Sequence, residues 1–114
     1  MARKRVILEL GTGNDLHGGD YTKAALRGVQ DAIHHSSLSM VRSLGIDSSR
    51  QMHVEVIVGV QQPEKVDAEA VRASLPHGVV TVRCVKGGLD VIDRERGDNA
   101  VIAAVAVNVR LDLG

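Results

Sequence analysis

An α+β fold in the order β-α-β-α-β-β, with two helices on one face of a mixed four-stranded sheet, is predicted by three features. The first is strict two-residue alternation: Val54, Val56, Val58 and Val60 on one side of a strand, and Val101, Ala103, Val105, Val107, Val109 and Leu111 on one side of another. The second is a helical spacing of small and apolar residues from Tyr21 onward, through Ala25, Val29, Ala32 and Ile33. The third is punctuation, because Pro63, Pro76-His77-Gly78 and Gly87-Gly88 separate the periodic stretches. With 114 residues the chain has room for one domain, spanning 1–114.

The first strand reads from Arg5 to Leu10, with Val6, Leu8 and Leu10 on one side and Ile7 and Glu9 on the other. Gly11 to Asp20 follows as a glycine-rich loop. Asp20 or Thr22 caps the next helix, whose period continues through Leu38, Val41 and Leu44 to a stop at Gly45, with a kink or break at Ser36-Ser37. His53–Val60 is the second strand. Asp67 caps a short helix through Ala70, Val71 and Leu75, and Val79–Val85 is β-branched enough for the third strand. Leu89–Ile92 extends it briefly as strand or loop, 94–99 is a charged turn, and Val101–Leu111 is the last strand. Alternating strands and helices argue for early parallel pairing, and the last two strands for an antiparallel pair.

Composition narrows the function classes. Lys+Arg and Asp+Glu balance at 14 each, and the one basic run is Arg3-Lys4-Arg5, so no nucleic-acid partner is expected. No apolar export or membrane-spanning segment is present, and the single cysteine, Cys84, fits a reducing compartment as a buried small hydrophobe, so a cytoplasmic protein is expected. Tyr21 is the only aromatic residue. A core of Val, Ile, Leu and Ala is thin. Two helices also cover one sheet face only, leaving Ile57, Ile102, Ala104 and Ala106 or their valine neighbours bare. Both features predict a homo-oligomer.

The candidate site is the segment Gly11-Thr12-Gly13-Asn14-Asp15-Leu16-His17-Gly18-Gly19-Asp20. Glycine at this density permits tight turns and close backbone approach. Asp15 and His17, two apart in a loop, can converge on one ligand, with the bland reading an Asx-turn beside a surface histidine. The segment lacks the Gly-Lys-Ser/Thr ending of a phosphate loop. Along the helix, Ala24, Gly28, Asp31 and His35 share one stripe. Asp31 can orient the His35 imidazole, or the two form an exposed ion pair. Ser37 is a further polar candidate. Lys23 and Arg27 attract an anionic substrate or face water. His53 and His77 read as structural or exposed, and Asp90 through Arg96 as a solvated charge run.

The pattern Gly11-x-Gly13-x-Asp15-x-His17-Gly18, with Thr22-Lys23-Ala24, Asp31-Ala32-Ile33, His35-x-Ser37-Leu38, Pro76-x-Gly78 and Gly87-Gly88-Leu89, resembles a small family of conserved hypothetical proteins. Its members occur in scattered bacteria and, with an N-terminal prefix, in plants. Ser36 and Ser39-Met40 depart from its usual Asn and Pro-Gly. In element order the chain is also similar to Bacillus-type chorismate mutase, the reactive-imine deaminases and the units of the ring-opening amidohydrolases. That topological resemblance implies a trimer with sites between subunits.

Three functional readings follow. The first is an enzyme, with hydrolase-like acid–base chemistry on a small polar C–N metabolite. Its catalytic candidates are Asp15, His17, Asp31, His35 and Ser37, and its substrate-binding candidates Gly11, Gly13, Gly18, Gly19, Lys23 and Arg27. The second is a zinc or manganese site on Asp15, His17 and His35. The third is a non-catalytic binding or accessory subunit using the same pocket.

Overall fold

The computed structural model describes residues 2–34, 51–75 and 78–113. The elements are β1 (Ala2–Asp15), α1 (Tyr21–His34), β2 (Met52–Val60), a 3-10 turn (Pro63–Lys65), α2 (Ala68–Ala73), β3 (Val79–Lys86), β4 (Leu89–Asp93) and β5 (Asp98–Leu113). The α+β class and the alternating order agree with the sequence. The expected continuation of α1 toward Gly45, the Ser36-Ser37 kink and the Pro76-His77 turn lie outside the described residues. No described helix is long and apolar enough to cross a membrane.

The sheet has five strands rather than four, in the order β1-β5-β2-β3, with β4 also on β5. β5 is the organiser. One of its edges pairs antiparallel with β1 along nearly its whole length. The other edge pairs with β4 over residues 98–102 and with β2 over 104–111. Among the described strands only β2 and β3 pair in parallel. The expected early parallel pairing therefore skips β1. Its crossover through α1 leaves one lane open between β1 and β2, and β5 returns antiparallel to fill it.

The valine alternation works as predicted. Val54, Val56, Val58 and Val60 of β2 and Val101, Val105, Val107 and Val109 of β5 are all buried beneath α1 and α2, with Ala24, Ala25, Val29, Ala32 and Val71 facing them. On β1, Ile7 packs against this core, whereas Leu8 and Leu10 face away and are 47% and 71% exposed. A bulge between Arg5 and Ile7 shifts the register there.

The caps follow the sequence reading. Asp20 Oδ1 accepts from the Lys23 amide at 3.1 Å, and Asp67 Oδ1 from the Ala70 amide at 3.1 Å. Thr22 Oγ1 accepts from the Asp67 amide at 2.9 Å, linking the starts of the two helices. Cys84 is half-buried against the core, and burial pushes its thiol pKa up.

Among the described residues the second sheet face carries no helix. Leu8, Leu10, Val79, Leu89 and Val91, five of the seven large hydrophobics that are exposed among the described residues, lie on it by strand parity and register. Ile57, Ile102, Ala104 and Ala106 share that face, as the alternation required.

Candidate functional site

The glycine segment divides into two structures. Gly11 through Asp15 continue β1, each residue paired with one of Val101–Val105 on β5. The expected loop is thus confined to residues 16–20, with Gly18 at φ +95° and Gly19 at φ +64° making the turn. Gly11 and Gly13 serve a different purpose. A Cβ on Gly13 would lie 2.1 Å from Ala24 O and 2.2 Å from Gly28 N, and one on Gly11 2.5 Å from Ala32 N. These two glycines let α1 lie directly on the strand. The stripe Ala24, Gly28 and Ala32 is the matching helix surface, and the close approach expected from its small residues is to β1 of the same chain.

Asp15 is 4% exposed and is the one buried charged residue of the described core. Its Oδ2 accepts from the Asp20 amide at 2.9 Å, and its Oδ1 sits 3.8 Å from Arg27 Nη1. Arg27 Nη1 also donates to the Asn14 carbonyl at 2.7 Å. Asp15 and Arg27 therefore close the turn between β1 and α1. Lys23 is exposed on the first turn of α1. Asp31 Oδ2 accepts from the Thr12 amide at 2.9 Å, satisfying a donor on β1, the sheet's outer strand. His35 and Ser37 lie outside the described residues, and with them the expected Asp31–His35 pairing.

His17 has a partner that sequence spacing did not suggest. Its Nδ1 lies 3.2 Å from Asp98 Oδ2, with the imidazole 73% exposed. The orienting carboxylate of this histidine is thus Asp98, at the start of β5, rather than Asp15 or Asp31. A carboxylate accepts, so Nδ1–H is the group that would donate in this pair, with Nε2 on the far side of the ring from Asp98. Asp98 shares its side of β5 with Ala100, Ile102 and Ala104 by two-residue periodicity. The pair consequently stands where the turn meets the open sheet face. A cavity of about 600 Å³ occupies that face further along, lined in part by Leu10, Thr12, Ile57, Val85 and Ala104 and by the charged Asp31 and Lys86.

Residues 5–109 match the model of a family described as conserved hypothetical proteins, Lin0512. The chain belongs to the Lin0512 family. It is also similar to the crystal structure of an FtsZ-like protein of unknown function from Nostoc punctiforme. The two are 40% identical, the alignment covers 99% of each chain, and the TM-score is 0.85. No curated protein matches the chain.

In this Lin0512 chain a second polar cluster lies under the start of α1. Tyr21, the lone aromatic, is 6% exposed, and its hydroxyl donates to Asp90 Oδ2 at 2.5 Å while accepting from Gln62 Nε2 at 3.1 Å. Burial pushes the Tyr21 pKa above its ordinary value, and the hydrogen bond to Asp90 adds to the rise. Asp90 Oδ1 is buried with no hydrogen-bond partner among the described residues. The solvated run expected from Asp90 onward therefore starts later. Asp90 pairs with Val101 in β4, whereas residues 93–97 are exposed. The signal in the sequence was the alternation Leu89-Asp90-Val91, which puts Asp90 on the opposite side from its two apolar neighbours.

Among the described residues no three His, Cys, Asp or Glu side chains are grouped to hold a metal ion. Of the expected trio Asp15, His17 and His35, Asp15 is occupied by the Asp20 amide and Arg27, and His17 faces Asp98.

Proposed function

We propose that this protein is a homo-oligomeric, small-molecule-transforming member of its family, with His17 as general acid/base and Asp98 as the group that orients it. The observation that carries this reading is the position of the His17–Asp98 pair at the end of an apolar sheet face that no described helix covers. A second copy seated on that face walls one side of the pair, excluding water from a histidine that is otherwise exposed. Hydrolase-like chemistry on a small polar C–N compound suits such a group, since a positioned imidazole near neutral pH moves protons to or from nitrogen leaving groups. The turn amides around Gly18 and Gly19 supply donors for developing negative charge. A trimer, implied by the topological resemblance, sets the expected assembly.

The test is paired. A panel of small cyclic amides and imines is followed by proton NMR with wild type, His17→Ala and Leu10→Glu proteins, and each protein's mass is measured by sedimentation. Wild type is expected at three times the 12.1 kDa chain. Leu10→Glu, charging the open face, is expected to give folded monomer with lost turnover. His17→Ala should keep the assembly and lose about 10²–10⁴-fold in rate. A wild-type monomer, or turnover indifferent to His17, overturns the reading.

A further inference from the structure

The open sheet face becomes more polar toward the other end of β5. There register lines up two mixed rows across the strands: Val79, His53, Arg110 and Arg5 in one, and Thr81, Glu55, Asn108 and Leu8 in the next. A separate cavity of about 400 Å³ lies over them, lined by His53, Glu55, Val79, Thr81, Asn108 and Arg110. Its volume falls within the range of small-metabolite pockets.

Three observations give this cavity a preference. Arg5 and Arg110 stand directly opposite each other on β1 and β5, and the bulge after Arg5 is what brings Arg5 to the same face as Leu8. Like charges so placed repel. Both guanidinia are exposed, and neither has a hydrogen bond or ion pair among the described residues. Beside them, His53 Nε2 is held at 2.8 Å by Asp112 Oδ2, with both side chains mostly buried, so the imidazole is a fixed wall. Two carboxylates share this face: Asp112, two residues beyond Arg110 and engaged by His53, and Glu55, with Asn108 Nδ2 at 3.5 Å. Asn108 Oδ1 is buried and accepts nothing among the described residues.

We propose that this end of the sheet binds a small organic oxyanion. Its phosphate or carboxylate group sits on Arg110 at the cavity's edge, with Arg5, outside the lining, adding positive charge from across the ladder; forked guanidinium donors match such groups in pairs. A ligand donor toward Asn108 relieves an acceptor that is otherwise unpaired, while the Glu55 carboxylate opposes the anion. Asn108 and Asp98 are ten residues apart on one strand, roughly 33 Å. The site is therefore independent of the His17–Asp98 pair and stands or falls separately.

Inorganic phosphate and malonate, titrated at constant ionic strength with chloride as the balancing anion, test this by ¹H–¹⁵N correlation spectra. Saturable shifts are expected at the amides around 53–55, 79–81 and 108–110, and the stronger of the two probes identifies the anionic group. Arg110→Gln should weaken binding about tenfold. Glu55→Gln, which removes a facing carboxylate, should tighten it, and His17→Ala should leave it unchanged. Each variant's native fold is checked by retention of its dispersed spectrum. Non-saturating shifts spread over other basic residues, unchanged affinity in Arg110→Gln, or weaker binding in Glu55→Gln would overturn the proposal.

Discussion

Gly13→Ala is expected to be among the most damaging single-methyl changes in this protein. Its Cβ would sit 2.1 Å from Ala24 O and 2.2 Å from Gly28 N, both backbone atoms that cannot rotate aside. Ordinary contact needs about 3.4 Å or more, so α1 must lift by roughly 1 Å. That lift loosens Ala24, Ala25, Val29 and Ala32, all at 0–1% exposure, and a gap of this size forfeits a quarter to a half of each contact's attraction. Overpacking ordinarily costs about 1–3 kcal/mol, and two backbone clashes place Gly13→Ala at about 3 kcal/mol or above. Gly28→Ala is the internal control. Its Cβ meets mainly a valine methyl, Val105 Cγ2 at 2.6 Å, and Gly13 N at 3.3 Å. Helix propensity returns about 1 kcal/mol there. Urea denaturation of both variants decides the matter, with Gly13→Ala expected to lose at least about 2 kcal/mol more than Gly28→Ala. A Gly13→Ala loss below about 1 kcal/mol would refute the close-packing account and return Gly13 to a ligand-contacting role.

Two further outcomes separate structural from reactive groups. Asp15→Asn should cost about 1–2 kcal/mol in urea denaturation, because it discharges the buried acceptor of the Asp20 amide and the partner of Arg27, whereas His17→Ala, at an exposed pair, should change stability by less than about 0.5 kcal/mol. Equal losses would mean that His17 also holds the turn. Tyr21 gives a pH signature: its folded pKa is raised above 10.0, so the folded state retains a proton that the unfolded chain releases. Its contribution is full below pH 10 and is lost as pH rises from there through the folded pKa. Denaturation midpoints measured on either side of pH 10 should fall more steeply for wild type than for Tyr21→Phe, and parallel slopes would refute the assignment.

What was legible in the sequence was whatever a single period encodes. The valines of β2 and β5 declare their buried side by alternation, and Asp20 and Asp67 declare helix starts by residue type, so class and element order followed from local rules. Register did not follow. The Gly11–Asp15 stretch looked like a loop because glycine's usual message is a turn, yet Gly11 and Gly13 alternate with Thr12 and Asn14 as strand residues do. Only the helix lying on them explains why no side chain is tolerated. The same limit governs the site. His17 and Asp98 are 81 residues apart and Tyr21 and Asp90 are 69 apart, and both pairs depend on β5 returning between β1 and β2. A histidine's partner within a few residues can be read from spacing, whereas one delivered by a distant strand requires knowing which lane that strand occupies. The Arg5–Arg110 opposition shows this most sharply. Arg5 belonged to a terminal basic run with no evident target, and a one-residue bulge beside it decides which side of the sheet its charge faces. Residue types thus announced that chemistry was present, while the antiparallel insertion of β5 determined which groups meet.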